Sequence, residues 1–245
     1  MQIGNYKKYG YSLHRNFFKE EEIAIIEPIL IKFHNSWLKE HARHYANGTL
    51  NSHSLTSSKY INNTEKKTLF DFIAQNKLYS LLEKLIPQQA KFLNTQLFFD
   101  PKNANQENYW HRDIQYTGKS EEEQKQAIKT QNVLHVRIPL KTELGIELIP
   151  QTHRRWDSKE EYEVRKSLNN KKTSDELKNS KRFALKRKDL LIFSANMIHR
   201  GIYGKERFSF DIIYCDDNPS ILKFRDIKNL PPSNEIAKRT NIRLF

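Results

Sequence analysis

The chain is poor in cysteine, in uninterrupted apolar sequence, and in acid relative to base. Cys215 is the single cysteine among 245 residues, so no disulfide can form within the chain. No apolar run approaches the roughly 18 residues that argue for a membrane span, and Met1 to Lys8 has no apolar core of a secretory signal. A cytoplasmic, reducing location without a membrane span is the expectation. Internal repeats, long low-complexity tracts and linkers are also missing. A length of 245 residues suits one substantial core, so a single domain is expected over residues 1–245.

The shortage of acid leaves a formal charge of +13, from 42 Lys and Arg against 29 Asp and Glu. The excess concentrates between Arg154 and Lys188, where 13 basic residues stand against 6 acidic ones. One reading of such a surface is a polyanionic partner such as nucleic acid. The other is a solvated, lysine-rich face, and it is favoured because aromatic residues are not interleaved with the charges as in a base-stacking platform. Asn169-Asn170 and Thr173-Ser174 within this stretch predict a mobile insertion or a lid over a pocket.

Helical patterns come first along the chain and strand patterns later. Ile23, Ile26, Leu30, Phe33 and Trp37 recur at intervals of three and four, which predicts one amphipathic helix from Glu20 to about Ala46. Pro28 lies inside it and predicts a kink or a break. A second helical region is expected over residues 64–86, with Leu78, Leu81, Leu82 and Leu85 as its apolar face. Residues 94–99 read as the first strand, ended by Pro101, and residues 120–129 as an exposed loop or short helix. Strand-like runs follow at 133–140, 145–149, 189–194 and 207–214. Helices followed by short strands with turns between them fit a mainly β protein with flanking helices, built on a double-stranded β-helix, or jelly-roll, core. The helices would occupy about 17–86, the core about 92–216 and a C-terminal extension about 217–245.

Within the strand region, Tyr109-Trp110-His111-Arg112-Asp113 places a histidine and a carboxylate one residue apart. On a strand, the two-residue side-chain period would aim both at one point. Such a pair is weak alone, since about 0.4 matches are expected by chance in this composition. Its surroundings add His199 and then Arg207-Phe208-Ser209. Two imidazoles and one carboxylate, with open positions opposite, form the facial arrangement of non-haem Fe(II) oxygenases. Arg207 offers a planar, two-pronged donor suited to a carboxylate, and Ser209 a hydroxyl two residues on.

In these segments and their order the chain resembles the phytanoyl-CoA dioxygenase-like family of Fe(II)/2-oxoglutarate oxygenases. The resemblance runs from about Tyr9 to Tyr214 and includes Tyr9-Gly10-Tyr11-Ser12-Leu13 with Asn16-Phe17-Phe18. It departs at Gln151-Thr152-His153, where the family usually has Gly-Ser-His, and at Lys188-Asp189, where Gly-Asp is common. The resemblance implies a jelly-roll core in which the strand with His111 and Asp113 neighbours the strand with His199, while the strand with Arg207 belongs to the opposing sheet. It also implies Fe(II) held by His111, Asp113 and His199, 2-oxoglutarate gripped at its distal carboxylate by Arg207 and Ser209, and O2 as second cosubstrate. Hydroxylation of a small or carrier-linked organic molecule, with release of succinate, is the implied reaction. Because Asp113 is a carboxylate, no position is left for a halide.

Further candidates are less sharply marked. Gln96 is placed against the cosubstrate. Arg112, Gln115, Tyr116, Trp156 and Asn196 are substrate candidates from their closeness to the ligands, and His135 and Arg137 because they share one strand face. His153 is expected to brace its turn. His41 and His44 lack a third ligand and are expected on an exposed helix face.

Overall fold

The computed structural model describes residues 3–86, 88–236 and 240–245. A short helix α1 (Ile3–Tyr9) leads into strand β1 (Tyr11–His14), then into helices α2 (Glu20–Glu40) and α3 (Ala42–Ala46). Strand β2 (Asn51–His53), helices α4 (Asn63–Ile73) and α5 (Asn76–Leu85), strand β3 (Ala90–Phe99) and helix α6 (Glu121–Thr130) follow. Next come β4 (Val133–Pro139), β5 (Glu143–Leu148), α7 (Lys159–Arg165), β6 (Lys181–Leu185), β7 (Leu190–Ser194), β8 (His199–Gly201) and β9 (Phe208–Asp216). Short helices α8 (Pro219–Leu222) and α9 (Ser233–Ile236) lie beyond the last strand.

The strands form two antiparallel sheets, one of six in the order β1-β7-β4-β9-β3-β2 and one of three in the order β6-β5-β8. This is the jelly roll anticipated from the element order, with helices on its outside. Consecutive strands that leave one sheet for the other put β8 and β9 on opposite walls.

Alternation within the large sheet separates core from site. Phe92, Leu97, Phe99, Leu134, Val136, Ile138, Phe210, Ile212 and Tyr214 belong to one buried cluster with Ile23, Ile26, Leu30 and Phe33 of α2, Leu69, Phe70 and Ile73 of α4, and Leu78 and Leu82 of α5. The positions between them in the strands, Gln96, His135, Arg137, Ser209 and Asp211, therefore point the other way, into the jelly roll. Each buried aliphatic or aromatic side chain on the helix side contributes about 1.5 to 3 kcal/mol. That apolar layer carries the cost of a charged interior.

Three local expectations are corrected. Of the kink or break expected at Pro28 there is no break: helix α2 runs through the proline, with Ile23 and Ile26 before it and Leu30 and Phe33 after it held in one buried cluster. The region expected as one helix over 64–86 is two, α4 and α5, separated at Ala74 and Gln75. The basic stretch is not a loose insertion. It supplies α7 and strand β6, and it buries Val164 and Leu177 in a cluster with Trp110, Ile149 and Ile198. Residues 121–130 form helix α6, closed at its start by a reciprocal capping box of Ser120 and Glu123.

Candidate metal centre

His111 and His199 are brought side by side by their backbones. The two residues exchange N–H to carbonyl hydrogen bonds of 3.0 and 2.9 Å, an isolated antiparallel bridge between the segment before Asp113 and β8. Trp110, fully buried, anchors this segment through its backbone N–H to Thr173 and its indole N–H to Asp175. The basic stretch thus holds the ligand strand in place. Asp113 is not on a strand, as the spacing suggested, but opens a single 3-10 turn (Asp113–Tyr116) tied to Ala195 O by its N–H. The turn still delivers the carboxylate to the same point.

The donor atoms converge. Asp113 Oδ1 lies 3.5 Å from His111 Nε2 and 3.4 Å from His199 Nε2. Donor atoms of these three residues fall within 4.8 Å of one another, and among the described residues no other group of His, Cys, Asp or Glu does so. His111 Nδ1 donates to Tyr109 O at 3.2 Å and His199 Nδ1 donates to Met197 O at 2.9 Å. Both Nε2 lone pairs therefore face Asp113 Oδ1, the tautomer a metal needs.

Electrostatics favour the same state. Burial lowers both imidazoles below their ordinary range, His199 to about 3 with help from the neighbouring His111, so both are neutral at pH 7. Burial works against the Asp113 carboxylate, yet the cationic His135 that hydrogen-bonds to it holds its pKa well below the usual range. Neutral imidazoles beside an ionised carboxylate are competent ligands without prior proton loss.

The cluster lines a cavity of about 420 Å³. Gln96, Phe98, Tyr109, Tyr116, His135, Arg137, Tyr203 and Arg207 complete much of its wall. Arg207 is 3% exposed, and among the described residues its guanidinium has no hydrogen-bond partner; the nearest carboxylate oxygen, on Glu143, is 3.9 Å from Nε. Gly201 makes room for it, since a Cβ there would stand 2.8 Å from Nη1. Burial and the nearby Arg137 lower its pKa. A buried guanidinium without an acceptor is a receptor for an anion.

Several candidates sit elsewhere than expected. Arg112 does not reach the cavity. It is fully buried and donates through Nε to Asp157 at 2.7 Å and through its terminal nitrogens to the carbonyls of Thr152, Asn196 and Arg155. Gln115 accepts from Arg165 at 2.6 Å, and Trp156 lies under the cationic groups of Lys125, Arg165 and Arg112, so both are structural neighbours of that cluster. Ser209 lies outside the cavity wall and donates to Glu143 Oε2 at 2.7 Å, which uses its one proton. His135 lines the cavity, but both ring nitrogens are engaged, by Asp113 at 2.6 Å and by Asp211 at 3.0 Å, so none remains for a substrate. Although burial opposes its charge, these two carboxylates raise its pKa to about 9. Arg137 forks onto Asp211 at 2.9 and 2.9 Å and keeps only Nη1 without a partner.

Gln96, Asp113 and His135 also border a second cavity of about 220 Å³, which Asn196 lines. His153 packs on Tyr6 near Gly10, and His41 stacks on Trp37 while His44 is exposed. Tyr109, Tyr203, Glu143 and Asp211 escaped the sequence reading. Asp211 and Tyr109 carried a signal, since each stands two residues from a named candidate, Ser209 and His111.

No protein-family model matches the chain, and no curated protein sequence does. Solved structures do resemble it. AviO1 from Streptomyces viridochromogenes Tue57 aligns with a TM-score of 0.62 at 15% identity, covering 88% of this chain and 93% of that one. EctD from S. alaskensis with bound Fe aligns with a TM-score of 0.58 at 13% identity over 90% and 82%, and it has also been solved with 2-oxoglutarate and 5-hydroxyectoine. SnoK, a non-heme alpha-ketoglutarate-dependent carbocyclase from nogalamycin biosynthesis, aligns with a TM-score of 0.59 at 12% identity over 87% and 82%. At such identities the likeness establishes the fold. Among the described residues no helix is long and apolar enough to cross a membrane.

Proposed function

We propose that this chain is an Fe(II)/2-oxoglutarate-dependent dioxygenase that uses O2 to hydroxylate a small or carrier-linked organic molecule, with release of succinate and CO2. The observation that carries this reading is Arg207, a buried guanidinium that makes no hydrogen bond among the described residues and faces the same cavity as His111, Asp113 and His199. A metal-binding triad alone fits many proteins. A triad and an orphaned arginine in one cavity fit a cosubstrate with a metal-chelating end and a distal carboxylate.

The residues fit the groups they would hold. His111 Nε2, His199 Nε2 and Asp113 Oδ1 would take three positions on one side of the metal and leave the other side to the cavity. Arg207 would orient the distal carboxylate of 2-oxoglutarate through its terminal nitrogens, while Gln96 borders the same space. When bound, iron and 2-oxoglutarate supply the oxidative decarboxylation that is coupled to attack on a C–H bond. Burial raises the phenols of Tyr109 and Tyr203 and keeps them neutral, so they can donate hydrogen bonds at the cavity wall without adding charge.

The second cavity supports an organic substrate. Its wall carries the apolar Leu93, Val133, Ile213 and Phe224 and the neutral amides of Asn94 and Asn196, with Lys119 as a cation apart from the Asp113–His135 pair. A nucleic acid finds less support, because arginines of the basic stretch are engaged within the molecule. Arg155 binds Glu161, Arg165 binds Asp157 and Arg187 binds Glu20 and Glu27.

The test is an anaerobic titration of the Fe(II)-loaded protein with 2-oxoglutarate. A visible metal-to-ligand charge-transfer band should appear and saturate, and exposure to O2 should then yield succinate. Full iron loading with neither band nor succinate would sink the reading. A band without succinate, across a metabolite screen, would point to a binding protein that keeps the site and not the reaction.

A further inference from the structure

Asp113 has two carboxylate oxygens, and the structure treats them differently. Oδ1 faces His111 Nε2 and His199 Nε2 at 3.5 and 3.4 Å. Oδ2 is taken by His135 Nε2 at 2.6 Å. His135 in turn is fixed on every side. Its ring stacks on Phe193 at 4.7 Å with 8° between planes, and its Nδ1 donates to Asp211 Oδ2 at 3.0 Å. Asp211 is itself gripped by both Nε and Nη2 of Arg137, and Arg137 lies over Phe98 at 4.4 Å. Strand register explains the arrangement, since Arg137 on β4 stands directly opposite Asp211 on β9, with His135 two residues before Arg137 on the same face.

We propose that His135, braced by Asp211 and Arg137, is a positioning residue that holds Asp113 Oδ2 away from the metal and makes Asp113 a one-oxygen ligand. This rests on the reading of His111, Asp113 and His199 as the metal ligands. A carboxylate free to turn about its Cβ–Cγ bond can chelate through both oxygens and so take two positions on a metal. With Oδ2 committed to His135, the second position stays open to the cavity, where the cosubstrate has to bind. His135 therefore acts through Asp113 and does not itself contact the metal.

The experiment uses Co(II) as the probe, with the wild-type chain, His135→Phe and His135→Gln, each checked for folding by circular dichroism. Phenylalanine keeps the stack on Phe193 and removes the donors; glutamine restores one N–H near Nε2. Losing such an orienting group costs roughly 10- to 100-fold in metal affinity, so His135→Phe should weaken Co(II) by that factor and alter the visible Co(II) spectrum. His135→Gln should recover most of both. Should His135→Phe not fold, Asp211→Asn carries the same test one bond further away, with a smaller loss expected. A folded His135→Phe, or in its place a folded Asp211→Asn, that binds Co(II) with wild-type affinity and spectrum overturns the inference and leaves the metal site standing. So does a His135→Gln as weak as His135→Phe, which would make the imidazole a ligand in its own right. A wild-type chain that takes up no Co(II) overturns the metal site and this inference together.

Discussion

Two buried arginines of this protein, Arg112 and Arg207, have opposite surroundings. Arg112 shares the fully buried Asp157 with Arg165, and its remaining donors end on three backbone carbonyls. Arg207 is also hidden from solvent, yet among the described residues its guanidinium makes no hydrogen bond, with Glu143 Oε2 no nearer than 3.9 Å to Nε, and it borders a cavity. A guanidinium withdrawn from water without acceptors is costly. The fold tolerates that cost at one place only because the helix-covered side of the sheet is so thoroughly apolar. Satisfied, the arginine is a structural clamp; left open, it is a receptor.

The largest effect that could break this comparison is on stability. Arg112→Ala strands the Asp157 charge beside Arg165 alone and leaves the carbonyls of Thr152, Asn196 and Arg155 without donors. Breaking a buried pair in this way costs about 3 to 5 kcal/mol. The melting temperature should fall steeply, and metal uptake should be lost with the fold. An Arg112→Ala chain that melts like the parent would mean that Arg112 is no clamp.

Arg207→Ala should do the reverse. It removes a buried charge that makes no hydrogen bond and meets the Glu143 carboxylate only at 3.9 Å, so the melting temperature should fall far less than in Arg112→Ala, and Co(II) or Fe(II) binding should persist. Affinity for 2-oxoglutarate, read from the charge-transfer band, should fall by about 3 kcal/mol or more, roughly a hundredfold. If the titration is unchanged, Arg137 with its free Nη1 becomes the receptor. Gly201→Ala probes the same contact more gently. A methyl 2.8 Å from Nη1 must push the guanidinium aside. Overpacking of this kind costs about 1 to 3 kcal/mol, and it should appear as weaker 2-oxoglutarate binding with iron binding kept. Equal affinity in Gly201→Ala would show that the arginine can bind from more than one position.

The comparison also explains what the sequence could reveal. His111, Asp113, His199 and Arg207 were legible because their spacing and order carry the chemistry, and the helical stripe of Ile23, Ile26, Leu30 and Phe33 because periodicity is local. The role of Arg112 was not, since its partner Asp157 lies 45 residues away. Even so, alternation between His111 and Asp113 hinted that Arg112 points away from both. Ser209 was assigned to the cosubstrate from its place beside Arg207, and Glu143, 66 residues distant, captures its hydroxyl instead. The basic stretch looked loose because composition cannot see Trp110 closing on Thr173 and Asp175. Charges there that face solvent should matter little. Lys171→Gln with Lys172→Gln should shift stability by no more than about 0.5 kcal/mol and leave uncoupled 2-oxoglutarate turnover unchanged, whereas a parallel loss of polyanion binding and oxidation would restore the nucleic-acid reading.

The smallest expected effect sharpens the rule by limiting it, because an orphaned polar atom is not always a receptor. His34 on α2 has a buried Nδ1 without a partner among the described residues, and its ring lies against Phe99 and Phe208 at 4.6 and 5.2 Å. Burial alone lowers its pKa to about 4, so the folded protein keeps this imidazole neutral where the unfolded chain would protonate it. The unfolded state then binds more protons between about 4 and the ordinary histidine value near 6.5, and stability must rise with pH across that window. The contribution is fully present above the upper limit and is lost as pH falls through the window. Carboxylates elsewhere also destabilise the fold in acid, so the informative quantity is a difference. Melting temperatures of wild type and His34→Leu, measured in parallel from pH 7 to 4.5, should diverge, with the wild type falling further. Parallel curves would mean that the folded protein accommodates the His34 proton as readily as the unfolded chain does, so that its Nδ1 is not orphaned in solution.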